Sequence, residues 1–161
     1  MSNPQVLIIM GSASDKKVMT STEELLTEFG IPFETHIASA HRTPAKVMKL
    51  ASEAEGRGVK TIITAAGLAA ALPGVVAAHT TLPVIGVPLD AGGLGGLDAL
   101  LSISQMPPGI PVACVAIGKP GAKNAAVLSA QMVGLTDAGI AEKVKAHRAA
   151  MAEAVEAANK K

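Results

Sequence analysis

The sequence predicts an α/β domain built on a parallel sheet with helices on both faces. Three observations predict it: short apolar runs recur with helical stretches between them, the runs are apolar at almost every position, and the helices open on clear start signals. A strand covered on both faces reads as a continuous hydrophobic run, because each side of the sheet meets a helix layer. A chain of 161 residues can bury such a core without disulfides, and no repeat or linker divides it, so residues 1–161 read as one domain.

Taken in order, strands are expected at Val6 to Met10, Phe33 to Ile37, Thr61 to Ala65, Val84 to Val87 and Val112 to Ile117. Asp15 offers an N-cap for a helix over Lys16 to Phe29, and Thr43 with Pro44 opens another that ends near Gly56. Further helices fit Leu72 to His79, Leu97 to Ser104 and Lys123 to Val133. The last, from Asp137 to about Asn159, carries Ile140, Val144, His147, Met151 and Val155 at three- and four-residue steps. So narrow an apolar stripe suits docking on a neighbouring surface.

Composition narrows the function. Net charge is +1, from 14 basic and 13 acidic side chains, which leaves no electrostatic footprint for nucleic acid or an anionic membrane. Trp and Tyr are absent and Phe stands only at 29 and 33, so the stacking platforms of single-strand binders are missing. The stretch from Thr61 to Leu89 has no Asp, Glu, Lys or Arg. Its glycines and prolines nevertheless cut it into strand, loop, helix and strand, and it reads as buried core rather than a membrane span. The apolar run near the N-terminus is too short for a signal peptide. Cys114, the single cysteine, sits in an apolar run as a buried strand residue, and a reducing cytoplasm is the expected setting. With 49% hydrophobic residues, the chain has more apolar surface than a monomer of this size hides, and subunit interfaces are expected.

In an open parallel sheet, ligands sit beyond the carboxyl ends of the strands. Three loops there carry distinctive chemistry. The first, Gly11-Ser12-Ala13-Ser14-Asp15, offers a glycine for a tight turn, two hydroxyls and helix N-terminal amides for a phosphate, and a carboxylate for ribose hydroxyls. Alone it also describes any capped turn. The second, Ser39-Ala40-His41-Arg42-Thr43-Pro44, supplies a forked guanidinium and a hydroxyl for an anion, with a titratable imidazole between them. Two anion-suited loops at one end of neighbouring strands point to a phosphorylated metabolite. The third, Ala66 to Gly74, has no ionisable side chain, and its small residues let backbone approach a ligand closely.

Other motifs fall away. Asp90 to Gly96 fits no G-x-G-x-x-G register, and Gly118 to Asn124 lacks the Gly-Lys-Ser/Thr ending of a P-loop. His36, His41, His79 and His147 have no ligand-like spacing, so no metal site is expected. His36 reads as a strand residue, His79 as a helix end and His147 as helix packing, which leaves His41 as the histidine suited to acid and base work.

GSASD at 11–15, SAHRTP at 39–44, AGLAAALPG at 66–74 and SISQMPPGIPVACVAIGKPGAKNAA at 102–126 together resemble the N5-carboxyaminoimidazole ribonucleotide mutases, over Val6 to about Leu135. SAHRTP is the specific part, and Arg42 stands where the related carbon-dioxide-using carboxylases typically carry Lys. The resemblance implies a flavodoxin-like three-layer αβα sandwich with an extra C-terminal helix, forming a single catalytic domain over 1–161. It implies a cytoplasmic homo-octamer with active sites at subunit contacts, a ribonucleotide as small-molecule substrate, and no metal or organic cofactor. Ser12, Ser14, Asp15, Ser39 and Arg42 would bind the ribose phosphate, with Gly11 and Ala40 in the same loops. Ala66, Gly67 and Leu72 would line the imidazole and carboxylate pocket, and His41 would carry the proton. Ala71 stands where that family usually has histidine, and Asp90 and Ala99 where it more often has Gln and Ser. Three functions follow as alternatives: the mutase, a carboxylase adding free carbon dioxide, and a non-catalytic nucleotide-binding relative.

Overall fold

The computed structural model describes residues 3–160. Five parallel strands, β1 (Val6–Met10), β2 (Phe33–Ile37), β3 (Thr61–Gly67), β4 (Val84–Leu89) and β5 (Ala113–Cys114), lie in the order β2-β1-β3-β4-β5. This is the flavodoxin-like order, with its switch point between β1 and β3. Six α-helices connect and cover them: α1 (Lys16–Phe29), α2 (Pro44–Glu53), α3 (Leu72–Ala77), α4 (Leu97–Ser104), α5 (Lys119–Gly134) and α6 (Ala138–Ala158).

The near-unbroken burial of β1, β3 and β4 follows from a core on each side, whereas β2, an edge strand carrying Glu34, Thr35 and His36, is only half-buried and departs from the expected apolar run. Val6, Ile8 and Met10 of β1 face one way and pack with α1, α5 and the start of α6, beside Ile63, Ile85 and Val87. Leu7 and Ile9 face the other way, toward α2, α3 and α4, beside Ile62 and Val84. Strand alternation thus feeds both layers at once. One polar tie crosses the first layer: Thr22, fully buried, donates from Oγ1 to the carbonyl of Ala122 at 2.8 Å and joins α1 to α5.

β1, β2 and α4 match their expected bounds, while β3 and β4 run two residues further. β5 is the main departure, two residues long instead of six. The amide of Val115 still donates to Gly86 O at 3.1 Å, but the next ladder bond would need an N–H from Pro88, which has none. The chain therefore peels away and returns only where Gly118 N donates to Pro88 O at 2.8 Å. Cys114 lies in this short strand, half-buried rather than buried, and that burial still pushes its thiol upward.

The helix starts also differ in detail. Asp15 does not cap α1 with its side chain, because its carboxylate turns back to accept from Ser12 N at 2.9 Å across a short 3-10 turn, Ala13–Asp15. Thr43 does not cap α2 either, since its hydroxyl accepts from Ser39 N at 2.9 Å and staples the loop before the helix. α2 ends at Glu53 and continues as a 3-10 turn over Glu55–Arg57. α3 stops at Ala77, so that His79 lies in the turn beyond it. α5 begins four residues before the expected Lys123, with Pro120 in its first turn where a missing N–H costs nothing.

α6 starts as expected, with Asp137 accepting from Ile140 N at 3.1 Å. Its first half docks on the end of α1: Lys143 Nζ donates to Phe29 O at 2.7 Å, and His147 meets the Phe29 ring edge-on. Ile140 and Val144 are buried, whereas Met151 and Val155 are 52% and 63% exposed, so the stripe continues past the fold that could cover it. At the sheet edge, β2 carries Glu34 paired to Arg57 at 2.7 Å, with His36 3.6 Å from the same carboxylate. No helix among the described residues is long and apolar enough to cross a membrane.

Candidate functional site

At the carboxyl ends of β1, β2 and β3 the three loops converge on a cavity of about 560 Å³. The sheet's own hydrogen bonding continues past the strands to place them. Ala38 N donates to Met10 O at 2.9 Å, and Gly11 N to Ala65 O at 3.1 Å, so the starts of the loops keep interstrand spacing.

The first loop supplies Gly11, Ser12, Ser14 and Asp15 to the cavity. The Ser14 hydroxyl lies 2.9 Å from that of Ser12 and 3.1 Å from Asp15 Oδ1. Burial pushes the Asp15 carboxyl above its ordinary 3.8, opposed by hydrogen bonds from the Ser12 amide, the Ser14 hydroxyl and the Gly11 amide, and by the Arg42 charge. Gly11 is not needed for the turn as the sequence suggested. It has no left-handed backbone, and a Cβ there would meet nothing closer than 3.7 Å.

The second loop supplies Ser39, Ala40, His41 and Arg42. Ser39 Oγ accepts from Arg42 N at 3.2 Å and from Arg42 Nε at 3.4 Å, and the guanidinium also reaches across to Gly11 O at 3.2 Å. Arg42 is therefore already oriented while exposed, bridging two loops that each offer anion donors. His41 is exposed beside it, and its ring hydrogen-bonds to none of the described residues. An exposed imidazole on the rim of a cavity can exchange protons with whatever enters.

The third wall comes from the end of β3 and the turn into α3. Ala66 and Leu72 are buried at 7% and 2% exposure, and both line the cavity together with Gly67. All eleven positions singled out in the sequence, from Gly11 to Leu72, line this one cavity. Leu68, Ala69, Ala70, Ala71 and Ala91 line it too, and the sequence assigned none of them a binding role. The alanines and Leu68 lie in a run whose lack of functional groups hides individual roles. Ala91 comes from the loop after β4, where only the β3–β4 register, pairing Gly67 with Leu89, brings it near. Ala71 occupies the N-cap of α3 with no side-chain bond, so this wall carries no titratable group.

His36, His79 and His147 all lie away from the cavity lining. No three His, Cys, Asp or Glu side chains among the described residues gather as metal ligands. What the arrangement can do is bind an anion at one end, hold hydroxyls at Asp15, present one imidazole, and shield the remaining volume with small apolar groups.

Comparison with known proteins agrees over nearly the whole length. The family model described as AIR carboxylase matches residues 5–154. A Saccharolobus solfataricus protein named N5-carboxyaminoimidazole ribonucleotide mutase is 54% identical over 142 residues, 88% of this chain and 89% of its own. A Pseudomonas aeruginosa protein of the same name is 51% identical over 148 residues, 92% of this chain and 91% of its own. Among solved structures, that of Treponema denticola PurE is 34% identical with a TM-score of 0.88, covering 98% of this chain and 97% of that one. By the length of these matches and by the fold they share, the chain belongs to the AIR carboxylase family.

Proposed function

We propose that this chain converts N5-carboxyaminoimidazole ribonucleotide to 4-carboxy-5-aminoimidazole ribonucleotide in de novo purine biosynthesis. The observation that carries the reading is the placement of His41 beside a pre-oriented Arg42–Ser39 anchor, on a cavity whose third wall is free of ionisable side chains. The names borne by relatives at about half identity support the same reaction.

Arg42, Ser39, Ser12 and Ser14 hold the phosphate, and Asp15 accepts from the ribose. Gly11 and Ala40 give backbone contacts, while Ala66, Gly67 and Leu72 enclose the heterocycle and its carboxylate. Protonated His41 gives its proton to the carbamate nitrogen. The N–C bond then breaks, and carbon dioxide leaves an electron-rich aminoimidazole. The ring carbon attacks that carbon dioxide, forming a C–C bond, and its displaced proton returns to His41. Atoms and charge balance with no cofactor, and the small-residue wall keeps water from the intermediate.

The same reading takes residues 1–161 as one catalytic domain, assembled in the cytoplasm as a homo-octamer with sites at subunit contacts. The exposed His41–Arg42 loop and the uncovered Met151, Val155 and Leu135 support it, the last being 85% exposed. Light scattering that gives a stable monomer at micromolar concentration would refute the assembly.

The decisive assay offers purified protein the carbamate substrate and, separately, aminoimidazole ribonucleotide with bicarbonate. Fast conversion of the first alone supports the mutase. Activity only with the second makes the chain a carboxylase, and binding without turnover makes it a non-catalytic relative.

A further inference from the structure

On the reading that carbon dioxide is freed and recaptured in this cavity, we propose that Leu68 is the residue that retains it, as an apolar lip between the reaction chamber and solvent. Leu68 has φ 55 and is the one non-glycine residue with positive φ among those described. A bulky side chain rarely adopts that backbone. Its side chain is also 56% exposed and belongs to neither hydrophobic core cluster. Strain and exposed apolar surface thus fall on one residue that contributes little to folding. A strained backbone at a cavity rim points to a role in the chemistry.

The surroundings hold it there. Ala70 N donates to Gly67 O at 3.1 Å and closes the turn around Leu68. Two glycines then make room. A Cβ on Gly67 would come within 2.6 Å of Ala91 Cβ, and one on Gly92, where φ is 85, within 2.8 Å of Leu68 Cδ2. The leucine therefore lies against the backbone of the glycine-rich loop after β4 and joins it to the turn after β3. It spans the cavity wall that Ala91 also lines.

The chemistry gives this lip a purpose. Carbon dioxide is small and uncharged, so no ionic contact can hold it, and only a barrier to its exit favours attack by the ring carbon over escape. The same barrier keeps water from protonating that carbon first. Leu68 exchanges no proton and is a positioning residue, acting on how the intermediate partitions.

The test converts the carbamate substrate in water containing 13C-bicarbonate equilibrated with dissolved carbon dioxide. It measures label in the product and free aminoimidazole ribonucleotide, corrected for spontaneous loss. Leu68→Gly keeps the left-handed backbone at ease and removes the lip, and should raise label plus released intermediate by about fivefold relative to product formed, or ~1 kcal/mol in the competition. Leu68→Met should restore the unaltered partition. Thermal midpoints follow neither pattern, because glycine relieves strain there. The proposal is overturned if Leu68→Gly partitions like the unaltered chain, or if Leu68→Met leaks as much as glycine does. A chain that never converts the carbamate overturns the proposed function and this inference together, whereas normal conversion without a leak overturns this inference alone.

Discussion

Replacing Arg42 tests the phosphate anchor most directly. Its guanidinium is fixed before any ligand arrives, by Ser39 Oγ at 3.4 Å and Gly11 O at 3.2 Å, so binding spends little side-chain entropy on orienting it. Hydrogen bonds to a charged partner are each worth about 1.5 to 3 kcal/mol, and two on one group are less than additive. Arg42→Ala should therefore weaken ligand binding by about 2 to 3 kcal/mol, roughly 30- to 150-fold in Kd. Since the side chain is exposed, the fold itself should lose no more than about 0.5 kcal/mol. Arg42→Lys keeps the charge but not the fork, and should cost about fivefold. Titration calorimetry with the product ribonucleotide measures the affinities, with thermal melts as the control for folding. An Arg42→Ala affinity within about twofold of the unaltered chain would place the phosphate elsewhere. An Arg42→Lys protein as weak as the alanine variant would also count against an anchor in which charge matters.

Three further expectations are independent of that one. His41→Asn should abolish turnover while leaving ligand affinity within about tenfold, read by activity and calorimetry together, and intact turnover would remove His41 from the mechanism. Asp15 has a raised native pKa, so its favourable contribution is full below 3.8 and is lost as pH rises through the raised value. Melts across acidic to neutral pH should therefore show the unaltered chain losing ground to Asp15→Asn over that window, and parallel curves would contradict the burial effect. Thr22→Val breaks the buried bond to Ala122 and should cost about 1 to 2 kcal/mol, a fall of roughly 2 to 8 °C in Tm, with activity unchanged.

Much of this architecture is legible from residue pattern, for identifiable reasons. β1 begins and ends where its apolar run does, because polar loops flank it and helices cover both its faces, whereas β2 keeps its expected bounds although Glu34, Thr35 and His36 leave it only half-buried at the sheet edge. β5 was not legible, because its length depends on Pro88 in a different strand, a pairing partner that the run from Val112 to Ile117 does not mention. Asp15 and Thr43 looked like simple caps because local sequence gives residue type but not which amide a carboxylate or hydroxyl turns toward. The polar members of the cavity stood out by their chemistry. Leu68 did not, since a leucine among alanines carries no signal until its backbone angle is known.

The bonds from Ala38 to Met10 and from Gly11 to Ala65 have an engineering consequence. They make the anchor inherit the stiffness of the sheet, whereas Ala69 and Ala71 stand in the turn beyond the next strand and belong to neither core. Grip on the phosphorylated handle and tolerance for the reactive group are thus distinct modules. A library randomised only over those two positions should yield catalysts that still recognise the ribose phosphate while accepting heterocycles of other shapes.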